Sequence, residues 1–173
     1  GLTTVVEKIK DSIAEDGTVT ITRYIGPGGA VTIPNSINGL PVRSIGDYAF
    51  ENSANLSSVT IGDGVTTIGD GAFAFCTSLA NATIADTTTS IGGSAFAFCT
   101  NLTNISLPND VERIGDNAFE NCTSLSEVTI PDSVTSIGVG AFQSCPSLTA
   151  ITVGAFNSAY NSADGVLLNK TKT

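Results

Sequence analysis

From residue 45 onward, apolar and polar positions follow one rule applied five times. In "IGDNAFENCTSLSEVTIPDSVTS", residues 114–136, an isoleucine, a glycine, an Ala-Phe pair, a cysteine, a leucine and a Val-x-Ile core hold fixed places, and the same spacing starts at Ile45, Ile68, Ile91 and Ile137. Five units of 23 residues thus follow one another over residues 45–159 without insertion or deletion. The sixth place is Phe50, Phe73, Phe96, Phe119 and Phe142, the twelfth Leu56, Leu79, Leu102, Leu125 and Leu148, and the fifteenth Val59, Ala82, Ile105, Val128 and Ile151. Around the fifteenth and seventeenth places the period is two, which predicts a half-buried strand. A single unit cannot bury its own apolar face, so the units are expected to stack, strand on parallel strand at about 4.8 Å, with the phenylalanines in one buried spine. "IGDNAF" is predicted to turn back as a short helical or 3₁₀ segment, its glycine column (Gly46, Gly69, Gly92, Gly115, Gly138) serving a positive φ or a close approach of backbones.

The amino-terminal flank reads differently. Residues 3–15, TTVVEKIKDSIAE, place Val6, Ile9 and Ile13 on one helical face, with Thr3 or Thr4 as N-cap and Asp16-Gly17 as a stop, so a short amphipathic helix is expected. "GTVTITRY" alternates as a strand, "GPGG" at 26–29 is a turn, and "AVTIP" at 30–34 is a second strand. "NSINGLPVRS" at 35–44 resembles the later "PDSVTS" with a Gly-Leu-Pro insertion, a stretched preliminary repeat. The chain therefore divides into a cap over 1–44, five repeats over 45–159, and a truncated hairpin or the start of another unit over 160–173, where a turn at Asp164-Gly165 leads into a strand without a visible partner.

A fixed period of roughly 20 to 29 residues with an L-x-x-V-x-I core is the signature of leucine-rich repeats. The expected fold is a leucine-rich repeat solenoid of the α/β type, mostly β with short 3₁₀ or helical turns, right-handed, with parallel stacked strands and an N-terminal cap. The motif I-G-x-x-A-F-x-x-C-x-x-L-x-x-V-x-I-P-x-x-V, matched by "IGDNAFENCTSLSEVTIPDSV", resembles the BspA-type leucine-rich repeats of bacterial surface proteins over all five 23-residue units. "TVTITRYIGPGGAVTIPNSINGLPVRSIGDYAF" resembles that family's entry segment. The resemblance implies a secreted or surface-anchored, non-enzymatic protein that engages host proteins, other bacteria or a matrix. Three departures stand out. Gly64, Thr87, Asp110 and Ser133 occupy the place where leucine-rich repeats carry an asparagine ladder, Ser53 replaces the first cysteine, and the last unit loses its Pro and Val.

Charge narrows the partners. The net charge is −9, and residues 45–159 hold 11 of the 16 acidic groups but only one basic residue, Arg113. Phosphate backbones and anionic headgroups are bound by neutralising cations, so neither nucleic acid nor a membrane surface is an expected partner. No apolar run reaches the roughly 18 residues of a membrane-spanning helix, and no membrane insertion is expected. The sequence begins at Gly1 and holds no methionine, which predicts a processed or excised piece whose targeting segment is out of view, and the final strand without a visible partner predicts that the native protein continues past Thr173.

Candidate chemistry is sparse. Histidine is absent, which removes the commonest general base and every Ser-His or Cys-His pair. Cys76, Cys99, Cys122 and Cys145 share one column, and ligands in a line diverge where a metal needs convergence, so buried free thiols are expected over metal binding, redox chemistry or disulfides. Asp47, Asp70 and Asp116 form one acidic column and Asp63, Asp86, Asn109 and Asp132 another; turn formation through the local backbone is expected ahead of calcium binding or catalysis. "GPGG" and "IGDGAF" lack the Lys-Ser/Thr of a phosphate loop. No catalytic residue, cofactor or metal is assigned. What remains is the outward strand face: Ser58 and Thr60, Asn81 and Thr83, Asn104 and Ser106, Glu127 and Thr129. Repeat proteins bind through such extended faces, so this is the candidate protein-binding surface, against the alternatives of a merely solvated face and a structural stalk without a ligand.

Overall fold

Because the units contain no insertions, every strand meets the same strand of the next unit in register. The computed structural model describes residues 6–163 and 165–170. A front sheet runs Ala150–Val153, Glu127–Ile130, Asn104–Ser106, Asn81–Thr83, Leu56–Ile61, Gly29–Ile33. Its pairs are parallel and offset by one unit, Thr60 opposite Thr83 and Asn104 opposite Glu127. A side sheet stacks the two-residue strands Ser136–Ile137, Arg113–Ile114, Ser90–Ile91 and Thr67–Ile68 on the longer Leu40–Ile45 and Val19–Tyr24. The result is a mostly-β parallel solenoid with almost no helix.

The core is the sum of the apolar columns. Phe50, Phe73, Phe96 and Phe119 are fully buried, and their rings stack at 4.9, 5.2 and 5.4 Å. Tyr24, from the cap, opens the stack 4.9 Å from Phe50, and the half-buried Phe142 closes it 5.4 Å from Phe119. Leu56, Leu79, Leu102 and Leu125 are fully buried in the same core. Each ring removes on the order of 150 to 250 Å² from water, and only a neighbouring rung provides the cover.

The corner differs from the expected helical or 3₁₀ turn. The fourth residue of each unit (Tyr48, Gly71, Ser94, Asn117, Gly140) and the eighth (Asn52, Phe75, Phe98, Asn121, Ser144) have positive φ. Hydrogen bonds alternate accordingly: Ala118 and Glu120 donate to the carbonyls three residues back, Gly115 and Asn117, whereas Asn117, Phe119 and Asn121 donate to Val139, Ala141 and Gln143 of the next rung at 2.8 to 2.9 Å. A helix would satisfy these groups internally and leave the rungs unconnected. The left-handed residues turn alternate N–H groups along the stack instead. Of the two roles expected for the second-place glycines, close approach holds, since positive φ falls elsewhere. A Cβ on Gly92 would stand 2.6 Å from both Asp70 N and Gly69 C.

Over Ile9–Ile13 a strand replaces the expected amino-terminal helix. It runs antiparallel to Val19–Tyr24, with Ile9 opposite Tyr24 and Ile13 opposite Val19; Thr3 and Thr4 lie outside the described residues. The exposed backbone edge of the first rung offers hydrogen bonds that a helix laid against it would leave unmade. Local pattern yields to that edge, and Ile13 is left 61% exposed. Asp16-Gly17, expected to stop a helix, closes this hairpin, with Asp16 accepting from Thr18 N at 3.0 Å. In the preliminary repeat, Asn38-Gly39 (φ 51 and 80) makes a two-residue turn that pairs Ser36–Ile37 with Leu40–Ile45. The strand Val166–Asn169 does have a partner, Tyr160–Ala163, antiparallel to it.

Two polar residues sit in the column otherwise held by Val65, Val111 and Val134. Thr88 donates to the Val65 carbonyl at 3.0 Å. Asn157 donates to Pro131 and Val134 carbonyls at 2.8 and 2.9 Å while its own oxygen accepts from Ala159 and Tyr160. Both complete bonds left by the rung before, so burying them is tolerated.

Candidate interaction face

Strand alternation places all eight sequence-derived candidates on the outer side of the front sheet. Thr60, Thr83, Ser106 and Thr129 form one column, in register with one another, and Ser58, Asn81, Asn104 and Glu127 a second. All are exposed except the half-buried Ser58, while Val59, Ala82, Ile105 and Val128 between them point into the core. Asn104, Ser106, Asn109, Glu127 and Thr129 line a polar cleft of about 490 Å³, and Asn81, Thr83, Asp86 and Asn104 line a smaller one of about 280 Å³. None of the eight side chains enters the hydrogen bonds that tie rung to rung. Thr66, Thr89, Thr100, Thr123, Ser126 and Thr135 do, each bonding a carbonyl of the preceding unit.

The first acidic column has a structural role, though not the local one expected, and in the second Asp132 alone has one. Asp47, Asp70 and Asp116 each accept, through Oδ1, the N–H of the equivalent residue one unit on: Asp70 at 2.8 Å, Gly93 at 2.7 Å and Val139 at 2.8 Å. They bridge rungs instead of closing their own turns. Asp132 accepts from Phe156 N at 2.9 Å. Among the described residues, no three His, Cys, Asp or Glu side chains converge as metal ligands. Where an asparagine ladder was missed in the sequence, Thr87 and Ser133 form a partial substitute, donating to Val65 and Val111 carbonyls at 2.9 and 2.7 Å.

The four cysteines are free and buried. Each thiol donates to the phenylalanine carbonyl of the preceding rung: Cys76 to Phe50, Cys99 to Phe73 and Cys122 to Phe96, all at 3.2 Å, and Cys145 to Phe119 at 3.1 Å. Burial pushes Cys76 and Cys122 up to about 12, Cys99 well above the ordinary thiol range, and Cys145 upward as well. A folded-state pKa raised above the unfolded value means that the folded chain holds protons the unfolded chain releases. This contribution is intact below about pH 9 and is lost as pH climbs toward 12, by about 1.4 kcal/mol per buried thiol for each pH unit. Urea midpoints measured from pH 8 to 10.5 should therefore fall steeply, and the slope should flatten in the Cys76→Ala/Cys122→Ala variant. A slope identical in parent and variant would refute the assignment.

Sequence reasoning missed the outward aromatics. Tyr48 is 58% exposed and Phe75 40%, and the Phe75 and Phe98 rings stack at 4.6 Å and 11° outside the core spine. The signal was present in "AFAFC" of the second and third units, which puts phenylalanine where the other units have Asn52, Asn121 and Ser144.

Comparison with known proteins agrees with this geometry. The family model described as BspA type Leucine rich repeat region matches residues 31–163 as six copies. No curated protein sequence matches the chain. Among solved structures, a leucine-rich repeat protein of T. pallidum is similar at 36% identity and a TM-score of 0.83, over 84% of this chain and 68% of that one. A leucine-rich repeat protein of Bacteroides ovatus is 34% identical at a TM-score of 0.75, over 85% of this chain and 39% of that one. A leucine rich cell surface protein of Faecalibacterium prausnitzii is 30% identical at a TM-score of 0.58, over 95% of this chain and 57% of that one. The chain thus spans less than two thirds of the second and third of these. Repeat register, stacked phenylalanines and these matches lead to one assignment: the chain belongs to the BspA-type leucine-rich repeat family.

Proposed function

We propose that the chain is a non-enzymatic protein-interaction module of a bacterial secreted or cell-surface protein, acting in adhesion through the front sheet. The observation that carries this reading is the contrast between columns. The Thr66/Thr89/Thr135, Thr100/Thr123 and Asp47/Asp70/Asp116 columns are bonded into the stack, whereas the side chains of Ser58, Thr60, Asn81, Thr83, Asn104, Ser106, Glu127 and Thr129 take no part in the bonds between rungs, and all but the half-buried Ser58 are exposed. Such a face, held flat by a rigid solenoid, suits a partner protein that supplies complementary hydrogen bonds over several rungs. Residues 45–159 would carry the face and residues 1–44 would cover its first rung. The surface location of the F. prausnitzii relative supports placing this chain outside the cell.

The test replaces Thr60, Thr83, Ser106 and Thr129 together by arginine and measures adherence of coated beads to extracellular-matrix proteins and to bacterial cells. Adherence of the parent should drop at least tenfold in the variant, a loss of about 1.4 kcal/mol or more, with an unchanged melting curve. Equal adherence of parent and variant would put binding outside the front sheet and overturn the reading, and adherence by neither would favour a stalk that holds another domain at a distance.

A further inference from the structure

Three clefts open along the front face, and each holds a carboxylate beside the outward polar columns. Asp63 and Glu7 line one of about 820 Å³ with Thr60, Asp86 lines one of about 280 Å³ with Thr83 and Asn104, and Glu127 lines one of about 490 Å³ with Ser106 and Thr129. Among the described residues no lysine or arginine lines any of the three. Four of the chain's seven cations are engaged elsewhere. Arg43 donates to the Gly64 carbonyl at 3.1 Å and Lys170 to the Asn157 carbonyl at 2.6 Å, while Arg23 and Arg113 line other clefts, beside Glu51 and Asp70 respectively. The carboxylates of the front clefts also differ from those that build the stack. Asp47, Asp70, Asp116 and Asp132 accept backbone N–H groups of the next rung, whereas among the described residues no donor meets Asp63, Asp86 or Glu127.

Charge and hydrogen-bonding character then select the same occupant. Carboxylate oxygens only accept, and the hydroxyls and the Asn104 carboxamide beside them can accept as well. Lysine ammonium and arginine guanidinium groups carry several donors and no acceptor, so they complement this face in both respects. A cleft with charge of one sign on its walls focuses the field, which draws a cation into it more than onto the acidic surface at large. An acidic partner would be repelled. A neutral one would cover the carboxylates without pairing them, at the cost of their hydration.

We propose that the partner of the front sheet is a basic one: a lysine- or arginine-rich segment of another protein whose cationic groups enter the three clefts and pair with Asp63, Asp86 and Glu127, an inference that rests on the front sheet being the interaction surface. The probe is an acetylated, amidated (Lys-Gly)4 peptide titrated calorimetrically at about 0.05 and 0.15 M salt. The parent should bind, more weakly at the higher salt. Asp63→Asn/Asp86→Asn/Glu127→Gln should weaken binding about tenfold, through three exposed pairs of modest strength. Glu51→Gln/Glu112→Gln/Glu120→Gln removes as much charge away from the three clefts and should weaken it less than about twofold. Equal weakening by the two triple variants overturns the proposal by reducing the attraction to diffuse charge, and no binding by the parent overturns it outright. A melting temperature of the first triple variant lowered by more than about 10 °C overturns it by placing those carboxylates in the scaffold. Bead adherence separates this inference from the reading beneath it. Adherence lost with arginine at Thr60, Thr83, Ser106 and Thr129 but kept by Asp63→Asn/Asp86→Asn/Glu127→Gln shows a front-face partner that is not basic and overturns this inference alone. Adherence kept by both variants overturns the two together.

Discussion

Gly92→Ala should destabilise the solenoid by about 3 to 5 kcal/mol, far more than an alanine at a glycine normally costs. The reason lies in what the new methyl would meet. Its Cβ would stand 2.6 Å from Asp70 N and 2.6 Å from Gly69 C, both backbone atoms of the preceding rung. No side chain can rotate away, so rungs must separate, and separation breaks the bond from Gly92 N to the Ile68 carbonyl, 2.8 Å in length. It also opens the contacts on which each unit depends for burial. Gly39→Ala provides the contrast. Its Cβ would have nothing within 4 Å, and the cost comes only from φ +80, about 1 to 2 kcal/mol. Chemical denaturation of the two variants separates steric from conformational cost; equal losses would contradict the close-approach reading.

Phe96→Ala is expected to cost about 3 to 5 kcal/mol. The ring is fully buried, with Phe73 on one side at 5.2 Å and Phe119 on the other at 5.4 Å. Removing it leaves a void bounded by two rigid turns that hydrogen bonds hold to their neighbours, so collapse around the alanine is limited. Phe142→Ala, at the half-buried end with one aromatic neighbour, should cost about half as much. The melting temperatures of both variants check the ordering, and a larger loss at Phe142 would show that the stack is not held from its middle.

The repeat register was legible because it needs only periodicity. A 23-residue spacing without gaps makes Phe96 meet Phe73 and Phe119 whatever the corner looks like. The corner itself was not legible, because Asn, Ser, Gly, Tyr and Phe share its left-handed places and only bonding between rungs explains that mixture. The helix expected near Ile9 failed for a related reason. A three-four spacing of Val6, Ile9 and Ile13 describes the segment alone, while the strand edge of Val19–Tyr24 that captured Ile9–Ile13 is a property of the folded rung. The outward positions of Thr60, Thr83, Ser106 and Thr129 followed from strand alternation. That their hydroxyls stay out of the bonding between rungs, unlike those of Thr66 or Thr100, could be read only from coordinates. Phe75 and Phe98 broke the column pattern in plain view, but the break acquired meaning only once their φ and exposure were known.

The columns that repeat build the stack, and the front-face residues between them are free of it. The most direct test compares urea midpoints of Gly92→Ala and of the variant with arginine at Thr60, Thr83, Ser106 and Thr129. With a slope of about 2 kcal/mol per M for a chain of this size, the single methyl should lower the midpoint by about 1.5 to 2.5 M, and the four arginines should move it by less than about 0.3 M. A four-arginine variant that unfolds as early as Gly92→Ala would show that the face is part of the scaffold and contradict the account.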